Sequence, residues 1–356
     1  MKKKSLSAKK ITHKILNFKK NLKDKEILRI YENFEKNFEN LNIPNKIAVA
    51  ISGGPDSMAL CFLVNCYKNI KHNKIRPFFY LVDHGLRKES AKEAVQVKEN
   101  LEQKKIKLKI LKWRGTKPTS NLQDLARQAR YKLLFDECKK SNIRTLLTAH
   151  HQDDLYETFF SRLLRGSGTE GLSSFVSMKK EFNFKGELFS ITRPLLNLQK
   201  KDLIYIANNV FNFYIDDPSN RMDKFQRVIL RKLILNLKSN GMNLKKLMLT
   251  LNNLHSTNVA INEIVYKNIK ENTFLDKKQY LLNNSFFLYP DEIVLKSFSN
   301  VLKTIGKKQF PPRGRKMVNL LKEIRKKHQL KATLGGTIIK KVHNSVIVTK
   351  EKTKKS

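Results

Sequence analysis

The chain is short of acid, of cysteine and of unbroken apolar length, and each shortage narrows what it can be. Only 31 aspartates and glutamates stand against 72 lysines and arginines, giving a formal charge of +41. Such an excess favours a polyanionic partner held through phosphate contacts and counterion release. Lysine, asparagine and isoleucine are abundant together, a pattern that an AT-rich genome also produces, so charge alone does not make the case. Three cysteines (Cys61, Cys66, Cys138), none in a CxxC pair, give no disulfide framework. They lie in apolar or helical patterns, which assigns them to core packing in a reducing compartment. No apolar run approaches the length of a membrane span. The basic start MKKKSLSAKK lacks the apolar region of a secretory signal and reads as a frayed basic arm. A cytoplasmic protein without membrane contact is expected. The phosphate loop GxxxxGK[ST] is missing as well.

What is present is organised around Lys46 to Ser57, KIAVAISGGPDS. A short apolar strand breaks into a glycine turn, and an apolar helix follows at once. Two glycines allow positive φ and a close approach of backbone to ligand. Successive N–H groups of the turn and the next helix form a concavity suited to phosphate oxygens. Ser52, Gly53, Gly54, Pro55, Asp56 and Ser57 are therefore the candidate phosphate cradle. Asp56 puts a carboxylate beside that anion site, which makes sense if a divalent cation lies between them. The competing reading is an ordinary strand–turn–helix connection with a polar cap. SGG alone does not decide between the two, whereas SGGxDS set between an apolar strand and an apolar helix favours the cradle.

From Lys46 to about Asn212, strand-like and helix-like segments alternate. PFFYLVD (77–83), KLKILKW (107–113) and RTLLTAH (144–150) read as strands. The segments between and after them, 88–103, 122–140 and 153–166, read as helices. Alternation of this kind predicts an α/β fold, a doubly wound parallel sheet covered on both faces. Ligands in such sheets bind at the carboxyl ends of the strands. Ser52–Ser57, Asp83-His84-Gly85 and His150–Asp154 all fall there, so three polar clusters converge on one rim. From Asp216 the pattern turns helical (224–238 and 243–270), with a hairpin-like YLLNNSFFLY turning at Asn283-Asn284. A basic, proline-containing linker (306–315), a helix, a Gly335-Gly336 turn and a hairpin over 337–351 complete the chain. The division expected is a basic lead-in (1–45), a nucleotide-binding domain (46–215), a mainly helical domain (216–305) and a small basic α+β domain after a linker (306–356).

Within AHHQDDLYET (149–158), Asp154 and Glu157 are three apart and share a helix face. Magnesium–nucleotide chemistry, helix capping by the acids and a histidine-containing zinc site are the three readings. The first accounts for two histidines and two acids together at a strand end. GSGTEG (166–171) fits GxGxxG, but it follows a helix rather than a strand and reads as a C-cap and loop. Arg127 and Arg130 share one face of LARQARY, and Arg227 and Arg231 lie one turn apart after DDPSN. The first pair is either a solvated basic face or a clamp on phosphate, RNA or the transition state, and for the second a turn plus an N-terminal cap accounts for most of the pattern.

Taken in order, SGGPDS (52–57), VDHGLRKES (82–90), SNLQDLARQARY (120–131), HHQDDLYET (150–158), RLLRGSGTEGLSSF (162–175), RPLL (193–196), DDPSN with its arginines (216–231) and LGGTII (334–339) resemble the tRNA(Ile)-lysidine synthetase family. These are pyrophosphate-loop ATPases with an adenine-nucleotide α-hydrolase-like fold. The resemblance implies a ligase that uses ATP and Mg²⁺ to adenylate C2 of the wobble cytidine in the CAU-anticodon isoleucine tRNA. Free L-lysine then attacks through its amine, releasing AMP. It implies Mg²⁺ held by Asp56 and Asp154, Glu157 orienting or deprotonating the amine, and Arg130 and Arg227 at the base, phosphate or developing charge. His84, Arg127, Arg165 and Arg231 are placed among contacts to tRNA or substrate. Relatives are commonly homodimers. The family reads Gln where this chain has Leu155. Two other readings compete: a pyrophosphate-loop tRNA thiolase, which would need reactive cysteines, and a non-catalytic basic RNA-binding protein.

Overall fold

In the computed structural model the described residues are 18–71, 74–87, 89–115, 122–216, 226–276, 279–308, 312 and 314–351. The basic arm, the Pro–Ser–Asn turn of DDPSN and part of the 306–315 linker lie outside them. The chain divides into two compact units, Met1–Leu251 and Asn252–Ser356.

The first unit begins with α1 (Phe18–Asn21) and α2 (Lys25–Glu39). The alternating series follows: β1 (Lys46–Ile51), α3 (Pro55–Ile70), β2 (Arg76–Asp83), α4 (Ser90–Gln103), β3 (Leu108–Lys112), α5 (Leu122–Lys140), β4 (Thr145–Leu147) and α6 (Gln152–Leu163). Next come α7 (Thr169–Ser173), β5 (Lys179–Phe184), β6 (Glu187–Thr192), α8 (Lys200–Ile206) with a π-helical turn over Ala207–Phe211, and α9 (Gln226–Ser239). The long helix α10 (Leu244–Asn272) starts in this unit and runs into the second.

Its six strands are ordered β3-β2-β1-β4-β6-β5. All pairs are parallel except β5 with β6. The doubly wound sheet is as expected, with one difference. The segment 179–192 is a hairpin whose turn, Lys185-Gly186, has φ of +50° and +84°. Two positive φ values match the tight turn that suits strand twist. Lys-Gly is a weaker written signal for it than Asn-Gly.

Strand alternation sends Ile47, Val49 and Ile51 to one face of the sheet and Ala48 to the other. On the first face lies α3, buried along Ser57–Tyr67 on nearly every side. A helix apolar all round belongs between layers, and here α2 supplies the outer one. Ile27, Ile30, Phe34 and Phe38 form its buried stripe, and the Phe38 ring meets Tyr67 of α3 at 4.9 Å. Each such side chain contributes roughly 1.5–3 kcal/mol by leaving water, so the helix that starts at the glycine turn is firmly anchored. The second face packs Leu134, Phe135 and Cys138 of α5 over Tyr80 and Leu146.

In the second unit a five-stranded antiparallel sheet is ordered β7-β8-β11-β10-β9. The strands are β7 (Thr273–Asp276), β8 (Gln279–Leu282), β9 (Gln329–Leu334), β10 (Thr337–Val342) and β11 (Ser345–Lys350). It packs against α11 (Asp291–Gly306) and α12 (Arg315–Lys326) through Phe286, Phe298, Leu302, Leu321 and Val348. The hairpin over 337–351 and the Gly335-Gly336 turn form as expected. The turn expected at Asn283-Asn284 does not. Asn283 caps a 3₁₀ turn (Asn284–Phe287), its Oδ1 accepting from Phe286 N at 3.1 Å. Asparagine serves both turns and caps, and burial of Phe286 selects the cap. Among the described residues no helix is long and apolar enough to cross a membrane.

Candidate active site

Because β1, β2, β4 and β6 run parallel, their carboxyl ends share one rim of the sheet. Ser52–Gly54 leaves β1 there. Gly53 has φ +86°, and its carbonyl accepts from Ile215 N at 2.9 Å. A Cβ on Gly53 would stand 2.7 Å from Val97 Cγ2, so only glycine fits. Gly54 caps α3 and Pro55 opens it, where a missing N–H costs nothing. Ser57 is committed inside the loop: its Oγ accepts from Ser52 N at 3.1 Å and donates to Gly54 O at 3.0 Å. The hydroxyl thus braces the turn, while the first-turn N–H groups of α3 have no carbonyl a turn earlier to bond.

Asp56, on that first turn, receives Lys200 Nζ at 2.6 and 2.7 Å, one distance to each carboxylate oxygen. His151, buried at the entry to α6, brings its Nε2 to 3.8 Å from Asp56 Oδ2 and 3.6 Å from Asp154 Oδ2. The two carboxylates expected to act together therefore flank one imidazole. Asp154 Oδ2 also accepts from His151 N at 3.1 Å, which is the capping role as well. Asp153 reaches across to α8, accepting from Lys200 N at 2.8 Å. His151 Nδ1 lies 3.6 Å from Asp153 Oδ2, beyond hydrogen-bonding range, so that attraction is Coulombic. Burial lowers the pKa of His151, but Asp153, Asp154 and Asp56 together outweigh it and hold the imidazole above its ordinary value. For Asp153 burial works upward, and the His151 and Lys200 contacts overcome it to pull the carboxyl down to about 2.

His150, next in the chain, has the opposite surroundings. Thr148 Oγ1 lies 2.9 Å from its Nδ1, and its ring meets Phe175 edge-on at 5.2 Å. Burial drives its pKa down to about 3; Asp154 opposes this, and the charges of Arg193 and Arg127 add to the lowering. His84, beyond the end of β2, accepts from Arg130 Nε at 3.2 Å. Burial and that cation lower it to about 4. Asp83 organises the same turn, its Oδ1 accepting from Gly85 N and Ser90 Oγ, each at 2.9 Å.

The structure pairs Glu157 with Arg231. Glu157 is only 5% exposed, and Arg231 Nε donates to its Oε1 at 2.5 Å. Arg127 lies over the Tyr131 ring at 5.1 Å. Arg165 is exposed at the end of α6, and the Arg227 side chain lies outside the described residues. Leu155 is buried in the core and takes no place in the polar site. Sequence reasoning missed Lys200, Arg193 and the service of Asp153 to α8.

Among the described residues, no three His, Cys, Asp or Glu side chains are arranged to hold a metal. A cation here would rely on the two carboxylates and on oxygens from a ligand, as magnesium commonly does beside nucleotide phosphates. The ammonium of Lys200 already lies on Asp56, so the place accepts positive charge.

Comparison with known proteins agrees with this geometry. Residues 24–238 match the PP-loop domain family. A tRNA(Ile)-lysidine synthase of Wolbachia pipientis wMel is 33% identical over 320 residues, covering 86% of this chain and 71% of the relative. One of Rickettsia bellii is 32% identical over 322 residues, covering 87% and 71%. Among solved structures, the U34-tRNA thiolase NcsA from Methanococcus maripaludis, with its [4Fe-4S] cluster, aligns with TM-score 0.54 at 19% identity. It covers 65% of this chain and 79% of its own, a likeness of fold. A glycine cradle opposed by carboxylates on one sheet rim, within a chain so closely matched, places this chain in the tRNA(Ile)-lysidine synthase family of PP-loop proteins.

Proposed function

We propose that the rim of the first unit converts the wobble cytidine of the CAU-anticodon isoleucine tRNA to lysidine, consuming ATP and free L-lysine. The observation that carries this reading is the Ser52–Ser57 cradle with Asp56 and Asp154 both turned to His151. In the first half-reaction the C2 oxygen of the base attacks the α-phosphorus and pyrophosphate leaves. In the second, the lysine amine attacks C2, loses a proton, and AMP departs with the oxygen.

The backbone N–H groups of Gly54, Asp56 and Ser57 bind the phosphates, and their fixed orientation costs no reorganisation as charge shifts. A magnesium ion held by Asp56 and Asp154 would neutralise the departing pyrophosphate. Lys200 supplies Asp56 with a counter-charge until that cation arrives. Glu157 is the base available to the incoming amine, with Arg231 holding its carboxylate in place. Arg130 and Arg227 are assigned to the base or phosphate. His84, Arg127 and Arg165 serve the RNA, and the excess of lysine draws the polyanion to the surface. The reading also extends to a homodimer.

ATP-dependent transfer of radiolabelled lysine to the tRNA is the direct test. Asp56→Ala should abolish ATP–pyrophosphate exchange and leave tRNA binding largely intact; equal loss of both would undo the assignment. Thiolation is disfavoured by the cysteines. All three are buried, and burial pushes each thiol up, Cys138 to about 12. Such thiols have little thiolate to offer. Replacing all three with alanine should leave lysine transfer in place, and its loss would favour sulfur chemistry.

A further inference from the structure

Arg193, first residue after β6, is a cation without an anion. It is 6% exposed, yet no carboxylate of the described residues pairs with it. Its Nη1 donates to Ser177 O at 3.1 Å, its guanidinium carbon lies 4.4 Å from the Phe175 ring centre, and its Nε is buried with no partner at all. The neighbours add positive charge. Burial lowers its pKa, Tyr131 opposes, and the like charges of Arg127 and Arg162 lower it further. Arg162 itself donates to Gly171 O and Ser174 Oγ, fixing the loop that carries Phe175. A buried guanidinium among cations is costly unless a negative group completes it. The peptide carbonyl and the aromatic ring offset only part of that cost.

We propose that Arg193, walled by Phe175 and His150, is the floor of a carboxylate-binding subsite at the carboxyl end of β6, and that its occupant is the carboxylate of the free amino acid substrate. This rests on the function proposed above. The depth of Arg193 favours a small free anion over a phosphate within a folded RNA strand. Its planar fork matches a carboxylate in two parallel hydrogen bonds. Both the subsite and the carboxylates around His151 lie on the same rim of the sheet. An amino acid held by one end at Arg193 therefore has its amine free to reach the reacting base. The motif RPLL, for which the nucleotide chemistry gives no task, acquires one.

The test compares L-lysine with cadaverine, the same diamine chain lacking the carboxylate, as amine donors for wild type, Arg193→Met and Arg193→Lys. Wild type should prefer lysine. Arg193→Met should lose roughly 10- to 100-fold in kcat/KM for lysine, the worth of hydrogen bonds to a charged group. It should change less than about threefold for cadaverine. Arg193→Lys should recover part of the preference. If Arg193→Met lowers both donors equally, Arg193 only holds the loop and the proposal fails. If lysine kinetics are unchanged while tRNA affinity falls, the anion is a phosphate and the proposal also fails. If wild type transfers neither donor, the functional reading itself is wrong.

Discussion

The two adjacent glycines of the cradle should respond to the same substitution in opposite ways. Gly53→Ala places a methyl group in a left-handed backbone conformation, φ +86°, at a cost of about 1–2 kcal/mol. That methyl would stand 2.7 Å from Val97 Cγ2 and 3.2 Å from Ile215 Cγ1, well inside carbon–carbon contact, adding about 1–3 kcal/mol of overpacking. The sum, about 2–5 kcal/mol, corresponds to a melting temperature lower by roughly 5–15 °C in a unit of this size. Gly54→Ala differs. Its φ of −71° and ψ of 163° are ordinary for any residue, and the added carbon would meet nothing nearer than Ser52 Oγ at 3.7 Å. The slightly poorer N-cap is offset by lost freedom of the unfolded chain. Its stability should therefore stay within about 1 kcal/mol of wild type. Its nucleotide affinity should nevertheless fall at least tenfold, because the methyl group enters the concavity meant for phosphate. Thermal melts with and without ATP, alongside direct ATP titration, read both effects. Two variants that melt alike, or a Gly54→Ala protein that binds ATP as wild type does, would refute the cradle as drawn.

Asp153 is held down to about 2, below its ordinary 3.8, so its contribution is present above pH 4 and lost as pH falls toward 2. Discounted for its partial exposure, it is worth about 1–2 kcal/mol; Asp153→Asn should be that much less stable at neutral pH and equal to wild type near pH 2, by urea titration. Arg231→Met removes the ion pair of Arg231 Nε with Glu157 Oε1 and, with the arginine partly exposed, should cost about 1–2 kcal/mol, part of it recovered in Arg231→Met/Glu157→Leu; a double variant no better than the single one contradicts the pairing. Lys200→Met removes the competitor for Asp56, so the Mg²⁺ concentration that half-activates ATP–pyrophosphate exchange should fall severalfold, and a rise would contradict the counter-charge role.

The architecture of the first unit was legible because its strands and helices carry different periods and alternate. The rule that ligands gather at strand ends then located the rim without coordinates. What escaped was set by tertiary context. The hairpin of β5 and β6 hid behind a Lys-Gly turn, and Asn283, read as a hairpin turn, caps a 3₁₀ turn because Phe286 is buried. Lys200 is one lysine among many, and nothing local marks it. It becomes visible only when the end of β6 brings α8 against the first turn of α3. The pairing of Glu157 with Arg231 likewise joins residues on α6 and α9 that no periodicity relates.

His150 and His151 show the same limit most sharply, because the sequence presents them as one cluster and the fold separates them. Successive residues at a strand end point to opposite sides. His151 lies by Asp56, Asp153 and Asp154, and its pKa rises; His150 is buried against Phe175 with Arg193 and Arg127 near it, and its pKa falls although Asp154 opposes the shift. Two groups of one chemical type driven apart by environment mark a division of tasks. On the His151 side the protein supplies negative charge and waits for cations. On the His150 side lies Arg193, which the proposal above pairs with an anion. The reaction proposed above would use both, a cation beside the carboxylates near His151 and an anion beside Arg193, at the carboxyl end of one sheet.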